Sequence, residues 1–218
     1  ASRVKRFRIM GGSLTFGNVT PAAEFNIWAD PDAAHIVFGA GTPITMVGLN
    51  VTMQSLATPD RRSQLRATGR RTAIAFADML DFYAIGEGQY SGLPGGALHD
   101  PMAVATLIDP TIVTTAPMNV QIETSRASVA YGMTLCDGRG LDADFRPRGV
   151  YTQGGATVPN ADVATHVDDA RFWDLLFEAI ASYACDGCDG SAGASDPHGP
   201  GPRYAVAHER SVGTPWPL

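Results

Sequence analysis

Short apolar segments and helix-start signals alternate along the first fifty residues, and this alternation constrains the fold more than any other feature of the sequence. Residues 4–10 predict a buried strand that ends in a glycine pair at Gly11 and Gly12. Two helix starts follow, one with Thr20 as its N-cap and one at Asp30, before a predicted strand over residues 44–49. Strands that alternate with helices predict an α/β fold with an open, mostly parallel sheet flanked by helices.

The rest of the chain continues this pattern and ends in a change of composition. We predict one long helix over residues 60–85, weakened by Gly69, and a flexible loop over residues 86–96 with Tyr90 at its tip. Further predicted elements are a short helix at 102–108, β segments at 112–123 and 128–136, a strand at 161–166 and an amphipathic helix to residue 183 capped by Asp168 or Asp169. Residues 184–218 are rich in Gly, Pro, Ser and Asp without periodicity. We therefore expect one domain over residues 1–183 and a disordered tail.

The charge balance and the cysteine content exclude several classes of protein. The sequence has 16 Lys and Arg against 22 Asp and Glu, a formal net charge of −6, which argues against a nucleic-acid partner. No run approaches the ~18 apolar residues of a membrane span, so we expect no membrane partner. Three cysteines are too few for a disulfide framework, and we expect a cytoplasmic protein. Cys185 and Cys188 fall in the predicted tail without a second ligand pair, so we interpret them as neither a zinc site nor a redox site.

Two groups of polar residues stand beside predicted core elements. Asn18, Glu24 and Asn26 surround the first helix start, and a carboxylate flanked by two amides suits the hydroxyls of a polyol, with helix capping as the alternative. His99 and Asp100 follow the glycine-rich loop. Asp100 could be a metal ligand, a general base or a helix N-cap, and His99 could be an acid near neutral pH or a surface residue. The residues alone predict an α/β domain with a candidate polyol site.

Four longer stretches of the sequence carry a family resemblance. They read GNVTPAAEFNIWADPDAA at residues 17–34, PITMVGLNVT at 43–52, HDPMAVA at 99–105 and RFWDLL at 171–176. Together they resemble the inosine–uridine-preferring nucleoside hydrolases over about residues 4–183. The resemblance implies that family's open α/β fold. It also implies its reaction, the hydrolysis of the N-glycosidic bond of ribonucleosides to ribose and free base with a bound Ca²⁺.

The resemblance implies a sugar-binding role for five residues. Asn18 and Glu24 would bond the ribose 5′-hydroxyl, and Asn26 would bond the 3′-hydroxyl. Met10 and Phe25 would line the sugar. Carboxylate and amide oxygens around the ring suit a reaction that develops positive charge on the ribosyl group.

The same resemblance implies a ligand for the Ca²⁺, which binds the 2′- and 3′-hydroxyls and the attacking water, and a proton donor to the leaving base. Asp100 would be a Ca²⁺ ligand, since this cation prefers carboxylate oxygen. His99 would face the leaving base and help to protonate it. Tyr83 and Tyr90 flank the predicted loop, where they would close over the base or, alternatively, serve ordinary packing.

The sequence departs from the family pattern in one respect. The family signature DTDPGxDD, which supplies most Ca²⁺ ligands and the general base, has no match in the 218 residues. We therefore expect a truncated segment that corresponds to the second half of the enzyme, which when intact would be a homo-oligomer. The alternative is a non-catalytic ribose-binding or oligomer-interaction module from a degraded paralogue. An in-frame signature in the DNA upstream of Ala1 would favour the enzyme.

Overall fold

The computed structural model describes residues 3–138 and 158–182, with the backbone alone for residues 86–91. The strands of this part are β1 (Phe7–Met10), β2 (Ile44–Val47), β3 (Val113–Ile122), β4 (Thr134–Asp137) and β5 (Ala161–Val167). Its helices are α1 (Phe25–Ala29), α2 (Pro31–Phe38), α3 (Leu49–Thr52), α4 (Pro59–Ala67), α5 (Arg71–Ser91), α6 (His99–Ile108) and α7 (Asp169–Ser182), with a 3-10 turn over Pro110–Ile112. The predicted tail, with Cys185 and Cys188, lies outside the described residues.

The strands form one open sheet in the order β1-β2-β5-β3-β4. β2 pairs in parallel with β1 and β5, whereas β3 pairs antiparallel with β5 and β4. The predicted α/β fold with an open sheet and flanking helices is confirmed, but the sheet is mixed and not mostly parallel, because β3 pairs antiparallel with both of its neighbours. The reason is local, because the 3-10 turn after α6 lies beside the end of β5, where Asp168 N–H donates to the Ile112 carbonyl at 2.8 Å. β3 therefore begins beside the last residue of β5 and runs in the opposite direction along it.

Helices cover both faces of the sheet and bury two apolar clusters. On one face α3 to α7 enclose a core that includes Val47, Met102 and Phe172. On the other face α1 and α2 pack Ile27 and Phe38 against Ile44, Met46 and Val163. The amphipathic α7 begins after Asp168, whose Oδ1 accepts from Arg171 N–H at 3.1 Å, so Asp168 is the predicted cap. No helix in residues 3–138 or 158–182 is long and apolar enough to cross a membrane.

The first predicted helix start is wrong in its capping residue. The Thr20 hydroxyl accepts from the N–H groups of Ala22 and Ala23 and closes a turn that precedes the helix. The N-cap of α1 is Glu24 instead, four residues later. The second start is confirmed, because the Asp30 carboxylate caps α2 by accepting from Ala33 N–H at 2.9 Å.

The segment between β2 and α6 also differs from its prediction. The single helix expected over residues 60–85 is two helices, because Gly69 has a φ of +68° and ends the helical path after α4. α5 then continues to Ser91, so the loop expected over residues 86–96 is wrong in its first half and Tyr90 lies within the helix. Gly92, with a φ of +67°, follows the end of α5.

The residue after α6 anchors the end of that helix. Asp109 Oδ1 accepts from the N–H of Thr111 at 2.9 Å and from its hydroxyl at 2.6 Å, and Oδ2 pairs with Arg171 of α7. These bonds, those to Thr111 first, lower the pKa of Asp109 to about 2. A charged Asp109 therefore links the C-terminal end of α6 to α7.

Candidate active site

A cavity of about 510 Å³ lies beside the carboxyl end of β1, bounded by the starts of α1 and α6 and by one face of α5. Ligands of open α/β sheets commonly bind outside the carboxyl ends of the strands. The lining residues are Met10, Asn18, Glu24, Phe25, Asn26, Met79, Leu80, Tyr83, Ala97, Leu98, His99, Asp100 and Pro101. All seven residues predicted as site residues are in this lining, although they come from segments about ninety residues apart in sequence.

The carboxylate of Glu24 is a structural centre of the cavity wall. It is 3% exposed, and its Oε2 accepts from the N–H groups of Gly12 at 2.9 Å and Ile27 at 3.2 Å. Its Oε1 accepts from Asn26 N–H at 2.9 Å. Glu24 therefore joins the turn after β1 to the first turn of α1. A carboxylate has about four acceptor positions, so roughly one is left for a hydroxyl in the cavity.

The two predicted amides, Asn18 and Asn26, flank Glu24 in the sequence, and both are exposed residues of the cavity lining. Asn18 Oδ1 accepts from Phe25 N–H at 2.9 Å, so the amide nitrogen is the group that this side chain can offer to a ligand. Asn26 Nδ2 lies 3.3 Å from both the carbonyl oxygen and the Sδ of Met10, which leaves Oδ1 as its acceptor. One amide thus offers a donor and the other an acceptor, and this pair suits alcohol hydroxyls, which can do both.

Apolar side chains form the rest of the wall. Phe25 is 54% exposed and Met79 is 61% exposed, so both present carbon surface to the opening. Tyr83, also on α5, lines the same cavity and is 39% exposed. A flat apolar wall beside a polar end suits a ligand that has both a ring and a polyol.

His99 stands at the start of α6 and is half-buried. Its Nδ1 lies 2.7 Å from the Oγ1 of Thr52, the last residue of α3, and Thr52 is completely buried. Asp100 follows in the first turn of α6 and is exposed. The N-cap of α6 is Leu98, so the alternative that Asp100 caps the helix is wrong.

The carboxylates of the cavity do not make a complete calcium site. Ca²⁺ takes about six to eight oxygen ligands. Asp100 is the cavity carboxylate that does not bind backbone N–H groups in the described residues, whereas Glu24 binds three. Residues 3–138 and 158–182 contain no group of three or more His, Cys, Asp or Glu side chains placed to hold a metal ion. The donor set of this part of the chain therefore does not fit Ca²⁺ by itself.

The sequence signals missed some of the cavity residues. Leu80 and Tyr83 lie on the predicted apolar stripe of α5, but Met79 lies beside it and has no partner motif. A large apolar residue outside the stripe is the sequence signal that could have indicated a binding surface. Tyr90 falls among the residues for which the backbone alone is described.

Known proteins share this fold and much of this sequence. Residues 1–174 match the family model described as inosine-uridine preferring nucleoside hydrolase. The chain is 41% identical over 179 residues to a Leishmania major inosine-uridine preferring nucleoside hydrolase, covering 82% of the chain and 52% of that protein. It is 38% identical to a pyrimidine-specific ribonucleoside hydrolase of Citrobacter koseri, covering 84% of the chain and 54% of that protein.

Solved structures give the same picture. A purine-preferring ribonucleoside hydrolase from Gardnerella vaginalis superposes with a TM-score of 0.67 and 38% identity, over 81% of this chain and 52% of that one. A Bacillus anthracis inosine-uridine preferring nucleoside hydrolase superposes with a TM-score of 0.58 and 25% identity, over 84% and 53%. The chain spans about half the length of the curated relatives it matches.

Proposed function

This chain belongs to the inosine-uridine preferring nucleoside hydrolase family, and from that premise we propose that its cavity takes part in the hydrolysis of ribonucleosides to ribose and free base. The observation that carries the proposal is the convergence of Met10, the Asn18–Asn26 segment and the His99–Asp100 pair on one cavity. The similar proteins named above differ in the base that their names specify. The proposal therefore concerns ribonucleosides as a class.

In this proposal the polar side of the cavity binds the ribose. Asn18 Nδ2 donates to the 5′-hydroxyl, which in turn donates to the remaining acceptor position of Glu24. Asn26 Oδ1 accepts from the 3′-hydroxyl, and Met10 and Phe25 pack against the ring carbons. Support comes from the hydrogen bonds already described, because they hold each of these polar atoms in place before a ligand arrives. A prearranged polar wall costs little reorganisation on binding.

The electrostatics of this wall suit the chemistry of bond cleavage. As the glycosidic bond breaks, positive charge grows on the ribosyl ring. The buried carboxylate of Glu24 and the amide oxygen of Asn26 then stabilise the ribosyl group more strongly in the transition state than in the ground state. A buried carboxylate acts through a lower local dielectric than water, which strengthens this stabilisation.

The opposite side of the cavity receives the base. Tyr83 and Met79 supply apolar surface for a planar heterocycle, and His99 lies at the start of α6 on the same cavity. We propose that His99 donates a proton to the leaving base. A base that leaves unprotonated is a poor anion, and an imidazole is a suitable donor near neutral pH.

We propose that calcium takes part in the reaction with Asp100 as one ligand. The support is that Asp100 is an exposed carboxylate at the rim of the cavity beside His99. Since the described residues do not fit a complete site, the other ligands would have to come from elsewhere than these residues.

The expected consequence is that residues 1–218 alone, incubated with inosine or uridine and Ca²⁺, give no turnover above background. The physical reason is that the described cavity offers Asp100 but no second free carboxylate to hold the metal or activate water. The measurement is the release of reducing sugar. Robust turnover would contradict the view that the described cavity needs carboxylates from outside residues 3–138 and 158–182.

Nucleoside binding, by contrast, is expected from this chain and tests the ribose contacts. Replacing Asn26→Ala removes a hydroxyl acceptor and should weaken inosine and uridine binding about tenfold, the equivalent of ~1.4 kcal/mol. The measurement is a titration by saturation-transfer NMR that monitors the ribose protons. The matched control is Asn119→Ala, a half-buried asparagine on β3 that is not part of the cavity lining. Equal affinities for the two variants would overturn the proposed site.

The second candidate function is a non-catalytic ribose-binding module. The observation that favours it is that the described residues lack a complete set of carboxylate ligands for a metal, whereas the polar groups proposed to bind ribose are all in place. Both candidates predict nucleoside binding without turnover by residues 1–218, so these two experiments do not separate them. A third experiment adds a segment that carries the family's aspartate signature, and turnover in its presence would support the enzyme.

A further inference from the structure

A fully buried threonine contacts the candidate proton donor from outside the cavity lining. Thr52 Oγ1 lies 2.7 Å from His99 Nδ1, and the two residues are 47 positions apart in the sequence. Thr52 is 0% exposed and is absent from the cavity wall, so it reaches the site through the imidazole.

The backbone around Thr52 is held by the sheet. Thr52 N–H donates to the Gly48 carbonyl at 3.1 Å, and Gly48 directly follows β2. Leu49 N–H donates to the Gly12 carbonyl at 2.9 Å, which ties the same short helix to the turn after β1. Thr52 therefore offers a fixed point against which the imidazole ring can be oriented.

The hydroxyl of Thr52 has a second acceptor within reach, which favours one direction for the bond to Nδ1. Its Oγ1 lies 3.5 Å from the Leu49 carbonyl, three residues earlier in the same helix. Threonine hydroxyls in helices commonly donate to such a carbonyl. If the hydroxyl hydrogen points to Leu49, the oxygen lone pairs point to Nδ1 and accept a proton from it.

We propose that Thr52 is a positioning residue that accepts a hydrogen bond from Nδ1–H of His99 and so makes Nε2 the ring nitrogen that exchanges a proton with the occupant of the cavity. This inference rests on the proposed function in so far as His99 is the donor to the base. In that step the Nε2–H bond breaks, its proton forms a bond to a base nitrogen, and the electron pair stays on Nε2. The Nδ1 proton stays hydrogen-bonded to Thr52 throughout, and the neutral ring is left as the Nδ1–H tautomer.

The test is the tautomer of neutral His99, read from ¹⁵N NMR of residues 1–218 without nucleoside or metal. Protonated and bare ring nitrogens differ by tens of ppm, and the His99→Gln variant assigns the signal among the five histidines. We expect the bare-nitrogen signal at Nε2 in the wild type and in Thr52→Ser, which keeps the hydroxyl. In Thr52→Val the signal should move to Nδ1, because an Nδ1–H beside a methyl group would be left unsatisfied.

Thr106→Val is the matched control, since Thr106 is a buried threonine of α6 whose hydroxyl donates to the Ala103 carbonyl. It should leave the His99 tautomer unchanged. A wild-type ring with its proton on Nε2, or a Thr52→Val ring with an unchanged tautomer, would overturn the inference. The wild-type reading alone decides the matter if Thr52→Val fails to fold. Failure of the proposed function would appear separately, as nucleoside binding that is insensitive to Asn26→Ala, with the tautomer result unaffected.

Discussion

Glu24→Ala is expected to lower the free energy of unfolding by about 3 kcal/mol, an unusually large loss for a residue on the wall of a cavity. The carboxylate accepts from three backbone N–H groups, and those of Gly12 and Ile27 are in buried bonds. Each buried donor left without an acceptor costs on the order of 1–3 kcal/mol, and water can reach the Asn26 N–H at the rim and limit its share. The measurement is urea unfolding followed by tryptophan fluorescence, read as a shift in the midpoint.

Two variants separate this effect from ordinary helix capping. Asp30→Ala removes the exposed cap of α2, which accepts from Ala33 N–H alone, and should cost about 1 kcal/mol. Glu24→Gln keeps one acceptor oxygen for Gly12 and Ile27 but turns an amide toward Asn26 N–H, so an intermediate loss of about 1–2 kcal/mol is expected. If Glu24→Ala lowered the free energy of unfolding no more than Asp30→Ala, Glu24 would be a simple helix cap, and its bond to Gly12 after β1 would not contribute to stability.

The contrast between these two caps explains which local structure could be predicted. Asp30 caps a helix through a neighbour three residues away, and the sequence Asp-Pro-Asp displays that pattern directly. Glu24 has a partner at Gly12 in another element, and no local pattern reveals such a bond. Thr20 carries the stronger local signal, and its hydroxyl is used in a tight turn instead.

The same distinction applies to the larger elements. The strands at β1, β2 and β5 follow from short apolar runs, and the α/β class follows from their alternation with helices. The antiparallel direction of β3 depends on which end of the sheet α6 reaches, and this is determined by how the helix packs. The sequence indicates that Gly69 weakens a helix, whereas its φ of +68° ends the helix. Whether the chain adopts this conformation depends on how α4 and α5 pack.

The candidate site divides in a similar way. Motif resemblance indicates seven residues that the structure places around one cavity. Resemblance gives no indication that Thr52 is a partner of His99. The two residues belong to different motifs, and neither motif shows that they lie close together in the fold. Met79 is equally inaccessible to motif reasoning, since its place in the wall is set by how α5 lies beside α1 and α6.

Gly17→Ala is expected to destabilise the fold by about 3 kcal/mol and to displace Asn18 from the cavity. A Cβ at residue 17 would stand 2.2 Å from the Thr20 carbonyl oxygen and 2.4 Å from both the nitrogen and the oxygen of Ala23. These are backbone atoms, so no side-chain rotation relieves the clash. The turn would have to open, and with it the bonds from Asn18 N–H and Val19 N–H to the Ala23 carbonyl.

The displacement gives the prediction a second readout besides stability. Asn18 directly follows Gly17, and its Oδ1 holds Phe25 N–H at 2.9 Å, so nucleoside affinity should fall in the fraction that remains folded. Gly41→Ala is the matched control, because Gly41 has a φ of +69° but a Cβ added there would meet no atom within 4 Å. It should cost about 1 kcal/mol from backbone strain and leave nucleoside binding unchanged. Equal costs for the two glycine variants would mean that the turn over residues 17–23 yields easily, and that its shape does not hold Asn18 in the cavity wall.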